Sequence, residues 1–168
     1  MALIKRQELS TSEREKYLEL LLLADEDEWM VRSYFRKGWM FRFTVEDETI
    51  GVAHCLPINE TTVELKNIAV VPQCRGKGLG KLMVQNLLHW AQDKGFYVME
   101  VGTANSSIDN IAFYQKCGFR MKEIKRDFFR AYSKPIVEFG IQALDMVMFS
   151  YDLKHVKVNK FDYIRQKK

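Results

Sequence analysis

The chain has 168 residues, 47% of them hydrophobic and 29% charged, with a formal net charge of +4. That size suits one domain with a real core, and the balance is that of an ordinary globular chain. No run of about 18 apolar residues occurs, which excludes a transmembrane helix.

The opening MALIKRQEL has no apolar stretch ahead of its first charges, so it reads as a short first strand and not as a signal peptide. Ser10-Thr11-Ser12-Glu13 has the form of a capping box before a helical run that reaches Leu23. A second helix is expected from about Glu26 to Lys37, stopped by Gly38. WMFRFTVED and TIGVAHCLPI are β-rich, and Glu46-Asp47-Glu48 between them predicts a hairpin turn. TTVELKNIAVV is a further strand. It runs into VVPQCRGKGLGKLM, where Gly76, Gly78 and Gly80 alternate with Lys77 and Leu79.

Beyond that stretch Leu79, Leu82, Met83, Leu87, Trp90 and Ala91 recur at helical spacing, with Lys81, Gln85 and Gln92 on the other face, and Gly95 ends the helix. FYVMEVGT is a strand, SSIDNIAFYQKC a helix closed by Gly118, and FRMKEIKRDFF and ALDMVMFSYDL the last strands. Strand–helix–strand order through the middle implies locally parallel strands, and the flanking hairpins imply a mixed sheet. There is no internal repeat and no linker, so one α/β domain is expected over residues 1–153. A basic tail, 154–168, carries Lys154, Lys157, Lys160, Arg165, Lys167 and Lys168 against Asp162. The rest of the chain is close to neutral, so the charge gives little pull toward nucleic acid. Cys55, Cys74 and Cys117 are odd in number and widely spaced, which fits reduced thiols in a cytoplasmic protein. No Cys/His cluster points to a metal.

Glycine this dense costs backbone entropy, so the turn between strand and helix needs a reason. The free N–H groups and dipole of a helix start attract anions, and glycines let the backbone approach a ligand closely. Arg75, Lys77 and Lys81 add positive charge. Together these suit a pyrophosphate. The spacing fits neither the P-loop, since Arg75 stands where its first glycine belongs and Leu82 follows Lys81, nor the G-x-G-x-x-G dinucleotide fingerprint. A tight turn with incidental lysines is the plain alternative.

Gln73-x-x-Gly76-x-Gly78, entered from a strand ending in Val-Pro and leaving into an amphipathic helix, resembles motif A of the GNAT superfamily of acetyl-CoA-dependent N-acetyltransferases. Ile111-Ala-Phe-Tyr-Gln-Lys-Cys-Gly-Phe119 resembles its motif B, a Phe/Leu-Tyr-x-Lys-x-Gly-Phe signature. The resemblance runs from about residue 38 to 153. It implies a mixed, splayed sheet of six or seven strands flanked by helices, with acetyl-CoA as cosubstrate and no metal. It also implies that the backbone of Ile68, Ala69 and Val70 pairs with the pantetheine arm. The pyrophosphate would meet Arg75, Gly76, Lys77, Gly78, Leu79, Gly80 and Lys81. The family often places an asparagine seven positions before the motif B tyrosine. Here that slot is Ser107, and the nearest asparagine upstream is Asn105, which either reaches the cofactor or caps the helix.

Amine acetylation needs a base, direct or through water, and a group that stabilises the departing thiolate. Resemblance assigns the second task to Tyr114 and points to Glu64 for the first, with His54 one strand earlier as the other candidate. The reaction implied is direct attack of a primary amine on acetyl-CoA in a ternary complex. A small-molecule acceptor is the first expectation. A protein or peptide acceptor, or a sensor domain that binds acyl-CoA without transfer, are the alternatives. Asp25-Glu26-Asp27-Glu28 could attract a cationic amine, or serve as acidic residues at a helix start. RDFFRAYSKPIVEFG could wall an acceptor pocket or seal a dimer, and family habit favours a homodimer.

Overall fold

A computed structural model describes residues 3–156. The basic tail from residue 157 onward lies outside the described residues. A seven-stranded mixed sheet carries the fold, in the order β1-β2-β3-β4-β5-β9-β6. The strands are β1 Ile4–Glu8, β2 Trp39–Val45, β3 Glu48–Pro57, β4 Thr62–Val70, β5 Val98–Ala104, β6 Arg120–Lys125 and β9 Met146–Asp152. A two-residue-per-strand hairpin, β7 Val137–Glu138 and β8 Ile141–Gln142, stands apart from the sheet. That hairpin falls inside the aromatic segment read as irregular from sequence.

Each helix forms where its apolar spacing and end signals agree. The Ser10–Glu13 capping box is present, Ser10 donating its backbone N–H and its hydroxyl to Glu13 Oε2, both at 2.8 Å. The run that follows is a 3₁₀ stretch, Thr11–Tyr17, before it widens into α1, Leu18–Leu22. Asp27 caps α2, Glu28–Tyr34, by accepting from the Met30 N–H at 3.2 Å. The buried Arg14 then satisfies the far end of that helix, donating to the carbonyls of Phe35, Lys37 and Gly38 at 3.0, 2.9 and 2.8 Å. Helix α3, Leu79–Asp93, buries Met83, Val84, Leu87, Leu88, Trp90 and Ala91 against the sheet. Trp90 meets Phe41 edge-on at 4.9 Å and Trp39 at 5.2 Å. Helix α4, Ile108–Lys116, follows β5. Between β2 and β3, Glu46 and Asp47 both take positive φ, 49° and 66°, the geometry of a two-residue hairpin turn.

The sheet holds an apolar cluster on each face. Phe41, Phe43, Leu65, Met83, Leu87, Trp90, Tyr114 and Phe149 belong to one; Leu18, Leu21, Val31, Tyr34, Met40, Val52 and Ala69 belong to the other. Strand β4 changes sides between them. Val63 and Leu65 pack in the α3 cluster, yet Ala69, of the same parity, packs with α1 and α2. The cause is a bulge: opposite β3, His54 pairs with Asn67 and Cys55 with Leu65, so Lys66 is the extra residue. A bulge bends its strand and sharpens its twist. Here it coincides with a parting of the sheet. Parallel pairing of β4 with β5 runs from Thr62↔Val98 to Leu65↔Val101 and stops. Beyond that point β4 stays with β3 as far as Val70↔Gly51, and β5 stays with β9 as far as Ala104↔Met146. Two strands that each keep an outer neighbour thus separate from one another.

Candidate active site

The opening between β4 and β5 is the floor of a cleft of about 1040 Å³. Its walls are Glu64 to Ile68 and Val70 of β4, the glycine turn, Gly102 to Ala104 of β5, the inner side of α4, the loop between α1 and α2, and the segment before β7.

At one end lies the glycine turn. Pro72–Cys74 forms a short 3₁₀ turn, and Arg75 folds back so that its Nε donates to the Val70 carbonyl at 3.1 Å. Gly76 and Gly78 hold φ of +74° and +75°, a conformation that side chains other than those of Asn and Asp resist. A β-carbon placed on either would meet nothing within 4 Å. The loop therefore faces open space. Gly78 is the N-cap of α3, so the first amides of a 15-residue helix open at that space with no intrahelical acceptors. Gly80 differs: a β-carbon there would stand 3.4 Å from Val70 and 3.5 Å from Phe113 of α4, at ordinary contact distance, so this position faces packed side chains and not open space.

Midway along the cleft, Tyr114 and Glu64 both contribute to the wall. Tyr114 is buried among Phe113, Phe119 and Phe149, and that burial pushes its phenol pKa upward, so it is protonated at neutral pH. Glu64 is 3.8 Å from the Lys66 ammonium, and both side chains are about one-fifth exposed, at 22% and 23%. The bulge places Lys66 and Asn67 consecutively toward the α1–α2 side. Lys66 Nζ lies 5.5 Å from the Tyr34 ring, and Asn67 Nδ2 donates to the Leu21 carbonyl and the Tyr34 hydroxyl at 3.1 and 3.0 Å.

The opposite end is carried by two loops tied together. Tyr132 donates its hydroxyl to Asp25 at 3.2 Å, and Ser133 donates its N–H and hydroxyl to Asp27 at 3.2 and 3.0 Å. Burial raises the Asp25 pKa, against the lowering effect of the Asp27 N–H and the Tyr132 hydroxyl. Glu138 of β7 accepts from Ser107 at 2.8 Å and Ser106 at 3.3 Å, which fastens the short hairpin to the start of α4.

A cleft in a parted sheet, a glycine turn on a helix N-terminus and a buried tyrosine in the cleft wall form a specific combination. The profile of the Acetyltransferase (GNAT) family matches residues 6–119. The chain belongs to the GNAT family. It is an acetyl-CoA-dependent N-acetyltransferase with the mixed α/β fold of that family. An uncharacterized N-acetyltransferase of Bacillus subtilis, YvbK, is 41% identical over 149 residues, spanning 88% of this chain and 96% of the relative. A GNAT acetyltransferase from Elizabethkingia anophelis, solved with acetyl-CoA bound, superposes with a TM-score of 0.83 at 31% identity, over 89% of this chain and 97% of the other. A Bacillus subtilis acetyltransferase solved in complex with CoA gives 0.80 at 38% identity, over 90% and 99%. No group of side chains suited to a metal occurs among the described residues.

For this GNAT enzyme the structure brings ten of the residues expected from sequence to one cleft: Glu64, Ile68, Val70, Arg75, Gly76, Gly78, Leu79, Gly80, Lys81 and Tyr114. Three others stand outside its wall. Ala69 is buried toward α1 and α2. Lys77 lies in the turn but does not line the cleft. Asn105 is tied elsewhere: its Oδ1 accepts from Leu144 and Asp145 N–H at 2.8 and 3.0 Å, and its Nδ2 donates to the Gln142 carbonyl at 3.1 Å. It splices the end of β5 to the approach to β9.

His54 is also remote from the chemistry. It is fully buried, its Nε2 donates to the Lys37 carbonyl at 2.5 Å, and it packs edge-on to Tyr34. Burial pushes its pKa down to about 4 from 6.5, so the folded chain holds it neutral. The unfolded chain takes up that proton first as pH falls. The contribution is thus complete above about pH 6.5 and is lost as pH drops toward 4, by roughly 2–3 kcal/mol. Urea unfolding between pH 7 and pH 4.5 should show this slope, and His54→Gln should lack that part of it. An unchanged slope in the variant would mean that His54 is not the group responsible.

Several wall residues were not foreseen. Asn110 lies one helical turn before Tyr114 and donates to the Thr103 hydroxyl at 3.4 Å; the i, i+4 spacing carried that signal. Lys66 and Asn67 became visible only with the bulge, whereas Tyr132 belongs to the aromatic segment read from sequence as a pocket wall or dimer seal, and it lines the cleft.

Proposed function

We propose that the enzyme acetylates the primary amine of a small molecule by direct attack in a ternary complex within this cleft. The observation that carries the proposal is that Glu64 and Tyr114 line one continuous gap between a basic, amide-rich end and a carboxylate-bearing end. Bound acetyl-CoA supplies the acetyl thioester. The turn from Arg75 to Lys81 would hold its pyrophosphate, chiefly through N–H groups of the glycines and of the α3 start, with Arg75 and Lys81 adding charge. The edge of β4 beyond Leu65 would pair with the pantetheine arm, since it has backbone groups and no strand beside it.

Glu64 takes the proton released as the amine nitrogen bonds to the acetyl carbon, directly or through a water. Tyr114 donates its hydroxyl proton toward the sulfur as the carbon–sulfur bond breaks, a task that suits a phenol kept protonated by burial. The clasp of Tyr132 on Asp25 and Ser133 on Asp27 joins the two walls at the acceptor end, which favours a compact acceptor over a folded protein surface. The thiols of Cys55, Cys74 and Cys117 are free, which suits a reducing cytoplasm.

The test is Tyr114→Phe. It keeps the ring and most of its packing and removes the oxygen. Stability and acetyl-CoA affinity should stay close to wild type, while kcat falls at least about tenfold, near the low end for a lost proton donor. Normal turnover at saturating amine, with chemistry rate-limiting, would reduce Tyr114 to a core aromatic.

A further inference from the structure

Charge is unevenly spread along the cleft, whose wall also carries Asp109 at the start of α4 and Glu138 of β7. Beside the glycine turn the lining cations are Arg75, Lys81 and, at the end of α4, Lys116. Toward the other end the lining carries Asp25 and Glu26, with Glu64 and Lys66 of β4 between them and the turn. That ammonium is already engaged, 3.8 Å from Glu64 and 5.5 Å from the face of Tyr34. Asp25 is drawn out of water and holds hydrogen bonds from the Tyr132 hydroxyl and the Asp27 N–H.

A second observation concerns Asn67, which also lines the cleft. It is 5% exposed, and its Oδ1 has no hydrogen-bond partner among the described residues, its Nδ2 being used on Leu21 and Tyr34. This end of the cleft therefore presents acceptors in excess. A ligand that satisfies it brings N–H donors and positive charge. Phe129 and Tyr132 supply aromatic wall, on which a cation rests better than an anion does.

We infer that the acceptor is a small aliphatic amine with a second cationic group, its reacting nitrogen at Glu64 and its second ammonium against Asp25 and Glu26. The inference rests on acetyl transfer in this cleft and specifies the acceptor class. A neutral tail leaves Asp25 with no counter-charge beyond the Lys66 ammonium that it shares with Glu64, and an acidic tail adds repulsion. Both differences act on the same enzyme with the same donor.

The experiment compares 1,4-diaminobutane and spermidine with 1-aminobutane and 4-aminobutanoate, by thiol release at saturating acetyl-CoA. The diamines should exceed 1-aminobutane in kcat/KM by at least about tenfold, and 4-aminobutanoate should be the poorest. The double variant Asp25→Asn, Glu26→Gln should bring the diamine-to-monoamine ratio to within about threefold, with calorimetric coenzyme A binding as the check on folding. Wild-type enzyme that treats 1-aminobutane and diaminobutane alike, or a folded double variant that keeps the full preference, overturns the inference while acetyl transfer stands. Release of no thiol with any amine overturns the transfer reading itself. Should Asp25→Asn fail to fold, Glu26→Gln alone must lower the ratio; a ratio unchanged there also counts against the assignment.

Discussion

Gly78→Asp should weaken coenzyme A binding by about 100-fold or more while the fold persists. The substituted side chain enters empty space, since a β-carbon at this position meets no atom within 4 Å. The φ of +75° strains any side chain, by about 1 kcal/mol or a little more, and aspartate tolerates it better than most residues, a cost that the fold can bear. What changes is electrostatic. A carboxylate now occupies the mouth of the helix dipole, the place proposed for the pyrophosphate. Two like charges about 4 Å apart repel by roughly 4 kcal/mol at an effective dielectric constant of about 20, and salt screening leaves part of that. Gly78→Asn separates charge from bulk: it should retain most of the affinity. Calorimetric titration with coenzyme A, paired with thermal melts, reads both quantities. Unchanged binding by a folded Gly78→Asp protein would remove the pyrophosphate from this turn.

Glu64→Gln should slow acetyl transfer by about 100-fold or more near neutral pH, the scale expected when a general base is lost. The substitution is nearly isosteric, and Glu64 makes its ion pair with Lys66 at 3.8 Å in a partly hydrated part of the cleft, so its cost in stability should be small. The sign of the pH dependence discriminates further. An alkylamine is mostly protonated at neutral pH, and the base is needed to release the nucleophile. As pH rises toward 10 the free amine becomes available, and the deficit of the variant should shrink. A kcat/KM profile from pH 6.5 to 10, with one amine and saturating acetyl-CoA, measures it. A variant that matches wild type throughout would transfer the role to water. His54 cannot inherit it from its present position, buried on Lys37.

Much of the site was legible because it is written in short-range chemistry. Gly76 and Gly78 announced positive φ, the apolar spacing from Met83 to Ala91 announced the packed face of α3, and Tyr114 stood at a fixed place in a family motif. The hairpin turn at Glu46 and Asp47 and the capping box at Ser10 were local for the same reason. Long-range features were not. In VELKNIAV the alternation of apolar and polar residues breaks at Lys66-Asn67, but two adjacent polar residues do not by themselves show that one of them is extra. The bulge exists only against β3. Asn105 looked like a cofactor ligand because its spacing nearly fits, but the loop before β9 supplies its amide with three backbone partners. The β7–β8 hairpin was hidden in an aromatic stretch whose strands are only two residues long.

The bulge at Lys66 divides β4 into two segments that answer to different pressures. On the binding mode proposed above, Glu64 and Lys66 upstream meet the acceptor with side chains, and downstream the strand meets the donor with its main chain. Main-chain contacts are indifferent to point substitution, whereas the loop around Asp25 and the segment around Tyr132 consist of side chains that single codon changes can rewrite. Acceptor choice can therefore drift by ordinary mutation while the donor's contacts with this strand stay fixed. The change to which that strand is exposed is of another kind: loss of one residue. Removing Lys66 would restore even pairing with β3 and rotate one half of the strand relative to the other, with every other side chain of the site unchanged in identity.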